Sequence, residues 1–183
     1  TAQIYEPPLQ YHYLKRPYTL VPKTVEDVVH PQYIGKQGQK LGEDAPADQI
    51  AESVYTLKIR PGILYAPHPA FAKDNNGQYV YHRLSAADVG DKRSPWDFAQ
   101  KGTRELTADD YVYAIKRHAT TRTAAPVFGV FSEYVVGLAE YGKLVKQEDK
   151  KLRAGLPPST RDKPFLDFRQ WPLAGAQAPD RYT

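Results

Sequence analysis

The chain contains neither cysteine nor methionine. Without cysteine there is no disulfide, no thiolate metal ligand and no cysteine nucleophile. This composition suits a bacterial envelope protein that avoids stray oxidation. Because a chain that keeps its start codon begins with methionine, we expect a processed or excised segment of a longer protein.

Long apolar runs are also missing. No run approaches the roughly 18 residues of a membrane span, and no signal-peptide pattern is present. We therefore predict no direct membrane insertion. Apolar residues still make up 41% of the 183 residues, which is enough to bury a core. We expect residues 1–183 to form a single domain.

Charge of one sign does not dominate the chain. Lysine and arginine number 25 and acidic residues 21, and the two signs are interspersed. A mixed pattern of this kind is typical of a solvated surface, and no basic stripe or arm is present. The charges therefore predict no nucleic-acid partner.

Proline and tyrosine are abundant, with 16 and 14 residues. Proline lacks an N–H and fixes φ, so we expect many irregular connections. Tyrosine provides rigid amphipathic area that can cover a small sheet and pin loops through its hydroxyl. The same side chains can also line a sugar site or stack on bases. A stand-alone carbohydrate- or nucleic-acid-binding module is thus the alternative hypothesis.

Sequence patterns of catalysis and metal binding are absent. There is no G-x-S-x-G elbow, no P-loop and no G-x-G-x-x-G run. None of the five histidines has the i, i+4 spacing of a helical zinc pair. The pairs Asp109-Asp110 and Glu148-Asp149 are adjacent, and adjacent residues on a helix do not face each other. We predict no catalytic residue, no metal site, no cofactor and no enzymatic activity.

Alternation of apolar and polar residues predicts three strands. The clearest is Tyr55–Arg60, in which Tyr55, Leu57 and Ile59 share one face, followed by a Pro61-Gly62 turn. A short strand is predicted over Leu9–Tyr13. Another, Gln78–Arg83, would follow a turn at Asp74–Gly77. The stretch 63–105 reads as a long inserted loop region.

Two helices follow. Thr107 and Asp110 have the spacing of a capping box for the first. The second is predicted from Val127 to Tyr141 with a continuation to Arg153, ended by Gly155. Residues 181–183 resemble the first residues of a strand. We predict an α+β fold: a small mixed or antiparallel sheet, about two to four helices and long proline-rich loops.

Two runs together resemble one known family. Residues 51–62 read AESVYTLKIRPG and residues 106–117 read LTADDYVYAIKR. Both resemble, in this order, segments of the family 5 extracellular solute-binding proteins, which serve ABC importers of oligopeptides, dipeptides and nickel. Residues 126–145 match the following family helix in pattern, and residues 178–183 resemble the strand after it.

The chain departs from the family pattern at two places. A short turn usually separates the two runs, whereas here residues 63–105 lie between them. The tryptophan and hairpin that usually follow the AES letters are absent, because Val54 follows Ser53 directly. The match is closest to a subgroup with a long loop.

The resemblance implies a partial periplasmic-binding-protein-like fold of class II. Such proteins close two lobes on a solute by a hinge motion, and this chain would be the extra domain attached to the larger lobe. The implied partners are a solute held between the lobes and the membrane permease of an ABC importer. The implied location is the periplasm, or the cell surface through a lipid anchor. Ligand contacts are suggested for Phe128, Phe131 and Tyr134, with core packing as the alternative role.

Overall fold

The computed structural model describes residues 6–122, 124–160 and 164–183. Helices and small antiparallel sheets are both present, so the predicted α+β class is confirmed. The strands are β1 (Leu9–Tyr11), β2 (Leu20–Pro22), β3 (Gln32–Gly35) and β4 (Ile50–Val54). The helices are α1 (Ala86–Val89), α2 (Ala108–Arg117), α3 (Phe128–Tyr134) and α4 (Leu138–Arg153).

The chain divides into two compact units, unit 1 (Thr1–Leu106) and unit 2 (Thr107–Thr183). Unit 1 contains all four strands and α1, and unit 2 contains the three longer helices. Each unit has its own fully buried side chains, such as Val25 in unit 1 and Leu138 in unit 2. The assignment of residues 1–183 to one domain of a longer protein stays a prediction.

Unit 1 contains two separate two-stranded antiparallel sheets. In one, β1 pairs with β2 so that Leu9 faces Pro22, which confirms the predicted strand for Leu9–Tyr11. In the other, β3 pairs with β4 so that Gln32 faces Val54, and the register shifts between Ile34 and Gly35. Sheets this small cannot bury a core alone and depend on the loops around them.

The predicted strand Tyr55–Arg60 is wrong in position. The regular strand is β4, which ends at Val54, and within the predicted stretch only Ile59 forms a bridge, to Val25. The predicted alternation of burial holds only at the end of the stretch, where Ile59 is buried whereas Lys58 and Arg60 are exposed. At its start the alternation is wrong, because Tyr55 is 56% exposed. The Pro61-Gly62 turn is present, and Gly62 has a φ of 83°.

The predicted strand Gln78–Arg83 is also wrong. The turn before it is confirmed, since the amide of Gly77 donates to the carbonyl of Asp74 at 3.0 Å. After one bridge between Lys73 and Tyr79, the rings of Tyr79 and His82 stack 3.9 Å apart. Residues three apart on a strand point to opposite faces. The stacked pair therefore requires the chain to turn here.

Helix α2 begins as predicted. The amide of Thr107 donates to Oδ2 of Asp110 at 2.9 Å, and the Thr107 hydroxyl donates to the same atom at 3.3 Å. Asp109 and Asp110 lie in the first turn and Lys116 and Arg117 in the last, so the charges complement the helix dipole.

The prediction of one helix from Val127 onward is wrong, because two helices occupy this stretch. Gly137 lies between α3 and α4 with a φ of 75°, a left-handed conformation that interrupts the helical path. The apolar periodicity continues through this break and does not reveal it. The end of α4 agrees with prediction, since Gly155 has a φ of 87°.

The core of unit 2 is formed where α4 meets the C-terminal segment. Its buried members are Ala119, Leu138, Tyr141, Val145 and Leu173. Trp171 and Phe168 pack against this cluster from the C-terminal side. The predicted strand at residues 181–183 does not form, although the carbonyl of Arg181 accepts a bond from the amide of Ala108 at 2.9 Å. This backbone bond helps to anchor the chain there without a ladder.

Candidate functional site

A groove of about 660 Å³ lies in unit 2, lined by α2, α4 and the C-terminal segment 172–178. This volume falls in the range of small-molecule sites. Most of the lining is apolar and consists of Val112, Tyr141, Leu144, Leu173, Ala174 and Ala176. We call this feature the groove.

Helical spacing explains which side chains reach the groove. On α2, Asp109, Val112 and Lys116 recur at intervals of three and four residues and share one face. On α4, Leu144 follows Tyr141 by three residues and Glu140 by four, so it shares a side of the helix with both. The positions are therefore fixed by two helices rather than by loops.

Lys116 is the charged residue buried in the groove wall. Its exposed fraction is only 8%, and no other charged residue in the described ranges is classed as buried. Its Nζ lies 6.0 Å from the centre of the Tyr141 ring, within range of a cation–π attraction. Within the described ranges the ammonium has no hydrogen bond and no ion pair. The Nζ atom of Lys116 still contacts solvent.

Asp167 is the carboxylate whose charge interacts with Lys116, but its hydrogen bonds go elsewhere. Arg169 donates from Nε to Oδ1 at 2.8 Å and from Nη2 to Oδ2 at 2.7 Å. These bonds, then the Arg169 amide, and in smaller part the charges of Arg169 and Lys116, lower the pKa of Asp167 to about 2. The carboxylate is thus ionised and bound in a fork to arginine.

Tyr141 forms a neutral wall of the groove. Its hydroxyl donates to the carbonyl of Phe168, and burial raises the pKa of the phenol to about 12, with smaller contributions from Tyr113 and Asp167. The phenol therefore stays protonated at neutral pH. Its ring, which faces Lys116, supplies electron density without a formal charge.

The two carboxylates of the groove, Asp109 and Glu140, differ from Lys116 in exposure. Both are exposed to solvent. Water and salt screen exposed charges far more than buried ones. The groove therefore combines an acidic edge with one buried cation and an apolar surface.

The three predicted ligand-contact residues lie on α3 and do not line the groove. Phe128 is half-buried and packs so closely on α4 that a methyl group on Gly142 would meet its ring at 2.5 Å. Phe131 is 38% exposed and lies edge-on to His118 at 5.1 Å, and Tyr134 is 77% exposed. Packing accounts for Phe128, whereas Phe131 and Tyr134 are accessible.

Sequence reasoning missed the groove and Lys116. Lys116 lies in the last turn of α2, where a cation favours the helix dipole, and that role alone accounts for it in the sequence. A signal existed, because Lys116 lies on the same helical stripe as Val112, immediately after the half-buried Ile115 and three residues before the buried Ala119. That spacing alone does not distinguish a lysine whose whole side chain is buried from a lysine whose aliphatic stem covers apolar surface while its ammonium reaches water.

In unit 1, several cations lie over aromatic rings. The Arg16 guanidinium is 5.0 Å from the Tyr18 ring, and Lys73 is 4.9 Å from Tyr79. Tyr18 is 74% exposed and Tyr79 40% exposed. These pairs place cationic and aromatic side chains next to each other on unit 1.

In the described ranges, no group of three histidine, aspartate or glutamate side chains is arranged to hold a metal ion. None of the helices in the same ranges has both the length and the hydropathy of a membrane span.

Comparisons of the chain with protein-family models, with curated proteins and with solved structures found no match. The candidate sites therefore stand on their own geometry and on the sequence resemblance.

Proposed function

We propose that this chain is part of a solute-binding protein that captures an oligopeptide or dipeptide and delivers it to the permease of an ABC importer. The proposal rests on the two runs 51–62 and 106–117, which resemble family 5 solute-binding proteins. One observation in unit 1 supports it, because it accounts for the largest departure from the family pattern.

The supporting observation is the closure of the inserted region 63–105. The amide of Gly62 donates to Oε1 of Glu105 at 2.6 Å, and the amide of Leu106 donates to the carbonyl of Ile63 at 2.8 Å. Antiparallel bridges join Leu64 to Glu105 and His68 to Gly102. We call these paired segments, 62–68 and 102–106, the stem.

The stem means that the inserted region leaves and re-enters the chain at one place. Removing the inserted region would leave the end of the first run and the start of the second run as close together as a short turn requires. The family pattern, in which a short turn separates the runs, is therefore compatible with this chain. The insertion is an addition to the scaffold and does not disrupt it.

In this proposal the chain acts without catalysis, as a scaffold domain attached to the larger lobe. The solute lies between the lobes of the complete protein, in the periplasm or at a lipid-anchored cell surface. Phe131 and Tyr134 are available to approach that solute because they are exposed. Phe128 is less suited to this role because its ring packs against α4.

The test is isothermal titration of the full-length protein with pools of di- to pentapeptides. Saturable heat is expected for at least one pool, and its absence would overturn the peptide assignment. Tyr134→Ser in the full-length protein should weaken binding several-fold if α3 faces the solute. Phe165→Ser is the matched control, since Phe165 is 86% exposed in the same unit but lies outside α3.

A second candidate function is a carbohydrate- or nucleic-acid-binding module. It is favoured by the exposed tyrosines with adjacent cations, such as Tyr18 with Arg16. Retention of the 183-residue chain on heparin or single-stranded DNA should then depend on salt. Elution below about 0.1 M salt counts against this function, because several phosphate contacts would persist beyond it.

A further inference from the structure

We propose that the groove of unit 2 binds a small apolar monocarboxylate, with the ligand carboxylate next to the ammonium of Lys116. This inference does not depend on the proposed solute-binding function. It assigns a binding site inside unit 2 itself.

The first argument is the state of Lys116. Lys116 is 8% exposed as a whole residue, and in the described ranges its ammonium has no hydrogen-bond acceptor. Its Nζ still meets solvent, and Lys116 lines the groove, so the aliphatic stem is covered while the charge stays accessible. The Tyr141 ring, 6.0 Å away, offers only a cation–π attraction. An anion in the groove would supply a direct partner.

The second argument is that no carboxylate around Lys116 takes this place. Asp167 is engaged by the Arg169 fork at 2.7 and 2.8 Å. Asp109 precedes Lys116 by two helical turns, about 10 Å along α2, and is exposed. Glu140 is also exposed and forms no ion pair in the described part of the chain. The ammonium therefore remains open to a ligand from the groove.

The third argument concerns the class of anion. The lining offers one ammonium and no arginine fork, whereas phosphate recognition usually uses several donors or a guanidinium. The remaining wall is aliphatic or aromatic and suits an alkyl body. Asp109 and Glu140 at the edge would repel a second negative charge. One carboxylate on an apolar chain matches all three features.

The experiment uses octanoate as the probe and Trp171 as the reporter. Trp171 packs against the core cluster that includes Leu173, a groove residue. In a Trp96→Phe background it is the chain's sole tryptophan. Titration of this chain with octanoate should give a saturable fluorescence change. Octan-1-ol and octanedioate should bind at least about tenfold more weakly, a difference of about 1.4 kcal/mol.

Variants separate the charge from the apolar surface. Lys116→Met should remove the preference for octanoate over octan-1-ol, and Lys143→Met, at an exposed position on α4 outside the groove, should keep it. Ala174→Phe keeps Lys116 and Trp171 as the sole tryptophan but fills the groove, so it should weaken both ligands. Thermal unfolding of each variant checks that it is folded.

The proposal is overturned by any of three results. The first is no saturable binding of octanoate to the parent chain, and the second is equal affinity for octanoate and octan-1-ol. The third is unchanged octanoate affinity in folded Lys116→Met. If that variant does not fold, the alcohol comparison and Ala174→Phe still decide the matter.

Discussion

The amide of Gly62 donates a 2.6 Å hydrogen bond to Oε1 of Glu105, a residue 43 positions later. Glu105 also pairs through its backbone with Leu64. These contacts tie the Pro61-Gly62 turn to the residue that precedes Leu106. The stem therefore brings the two ends of residues 63–105 together at one place in unit 1.

The first prediction concerns removal of the insertion. Replacing residues 66–103 by Asn-Gly joins Tyr65 to Arg104, which face each other across the stem and are linked by a bond from the Tyr65 amide to the Arg104 carbonyl at 2.9 Å. A two-residue turn of this type suits such a pair. We expect the shortened chain to unfold cooperatively on heating, measured by circular dichroism. A non-cooperative trace would show that the insertion is an integral part of the scaffold.

The second prediction concerns the start of α2. Asp110→Ala removes the acceptor used by the Thr107 amide and hydroxyl and should lower the free energy of unfolding by about 1 kcal/mol. Asp109→Ala, one residue earlier, should cost only a few tenths of a kcal/mol through the helix dipole. Urea denaturation of both variants measures the difference. Equal losses would contradict the capping role of Asp110.

The third prediction concerns the break between α3 and α4. Gly137 has a φ of 75°, which a residue with a side chain adopts only with strain, so Gly137→Ala should destabilise the chain by about 1 kcal/mol. Gly129 lies inside α3 with open space around its Cα, so Gly129→Ala should stabilise by about 0.5–1 kcal/mol. Melting temperatures should thus shift in opposite directions. A gain of stability in Gly137→Ala would indicate a continuous helix.

The fourth prediction concerns alkaline pH and Tyr141. Its pKa is raised from 10.0 to about 12 in the folded chain. The folded state therefore holds the phenolic proton more tightly, and stability should fall as pH rises from 10 toward 12. The loss from this group should be about 2 kcal/mol, taken as the difference between the parent and Tyr141→Phe in urea titrations.

The control for the fourth prediction is the same variant at neutral pH. There Tyr141→Phe loses the bond to the Phe168 carbonyl and should be about 1 kcal/mol less stable than the parent. The gap between the two proteins should close or reverse above pH 11. Parallel stability curves from pH 9 to 12 would show that the phenol is not held protonated by burial.

The parts of the fold that could be predicted from the sequence are those set by residues close together in the chain. The capping residues Thr107 and Asp110, the turn at Pro61-Gly62 and the end of α4 at Gly155 depend on neighbours within a few positions. The α+β class was likewise confirmed. The family resemblance, the function and the cellular location stay predictions.

Pairing and burial were not predictable in the same way. Leu57 and Ile59 alternate as in a strand, but whether a ladder forms depends on a partner, and Val25 offers a single bridge. The apolar stripe of α3 and α4 continues across Gly137, so it conceals the break. Lys116 reads as a solvated cation at a helix end, and only the packing of α4 and residues 172–178 buries it.

The stem also affects how the length of the loop between its two sides can vary during evolution. Once its two sides are paired, the entropy of closing the loop grows only with the logarithm of loop length. Doubling the number of residues between them costs about 0.6 kcal/mol. That is less than the loss of a typical hydrogen bond. Natural selection can therefore change the length of residues 73–101 at little entropic cost, while the buried Ala72 and the paired Gly62 and Glu105 remain under constraint.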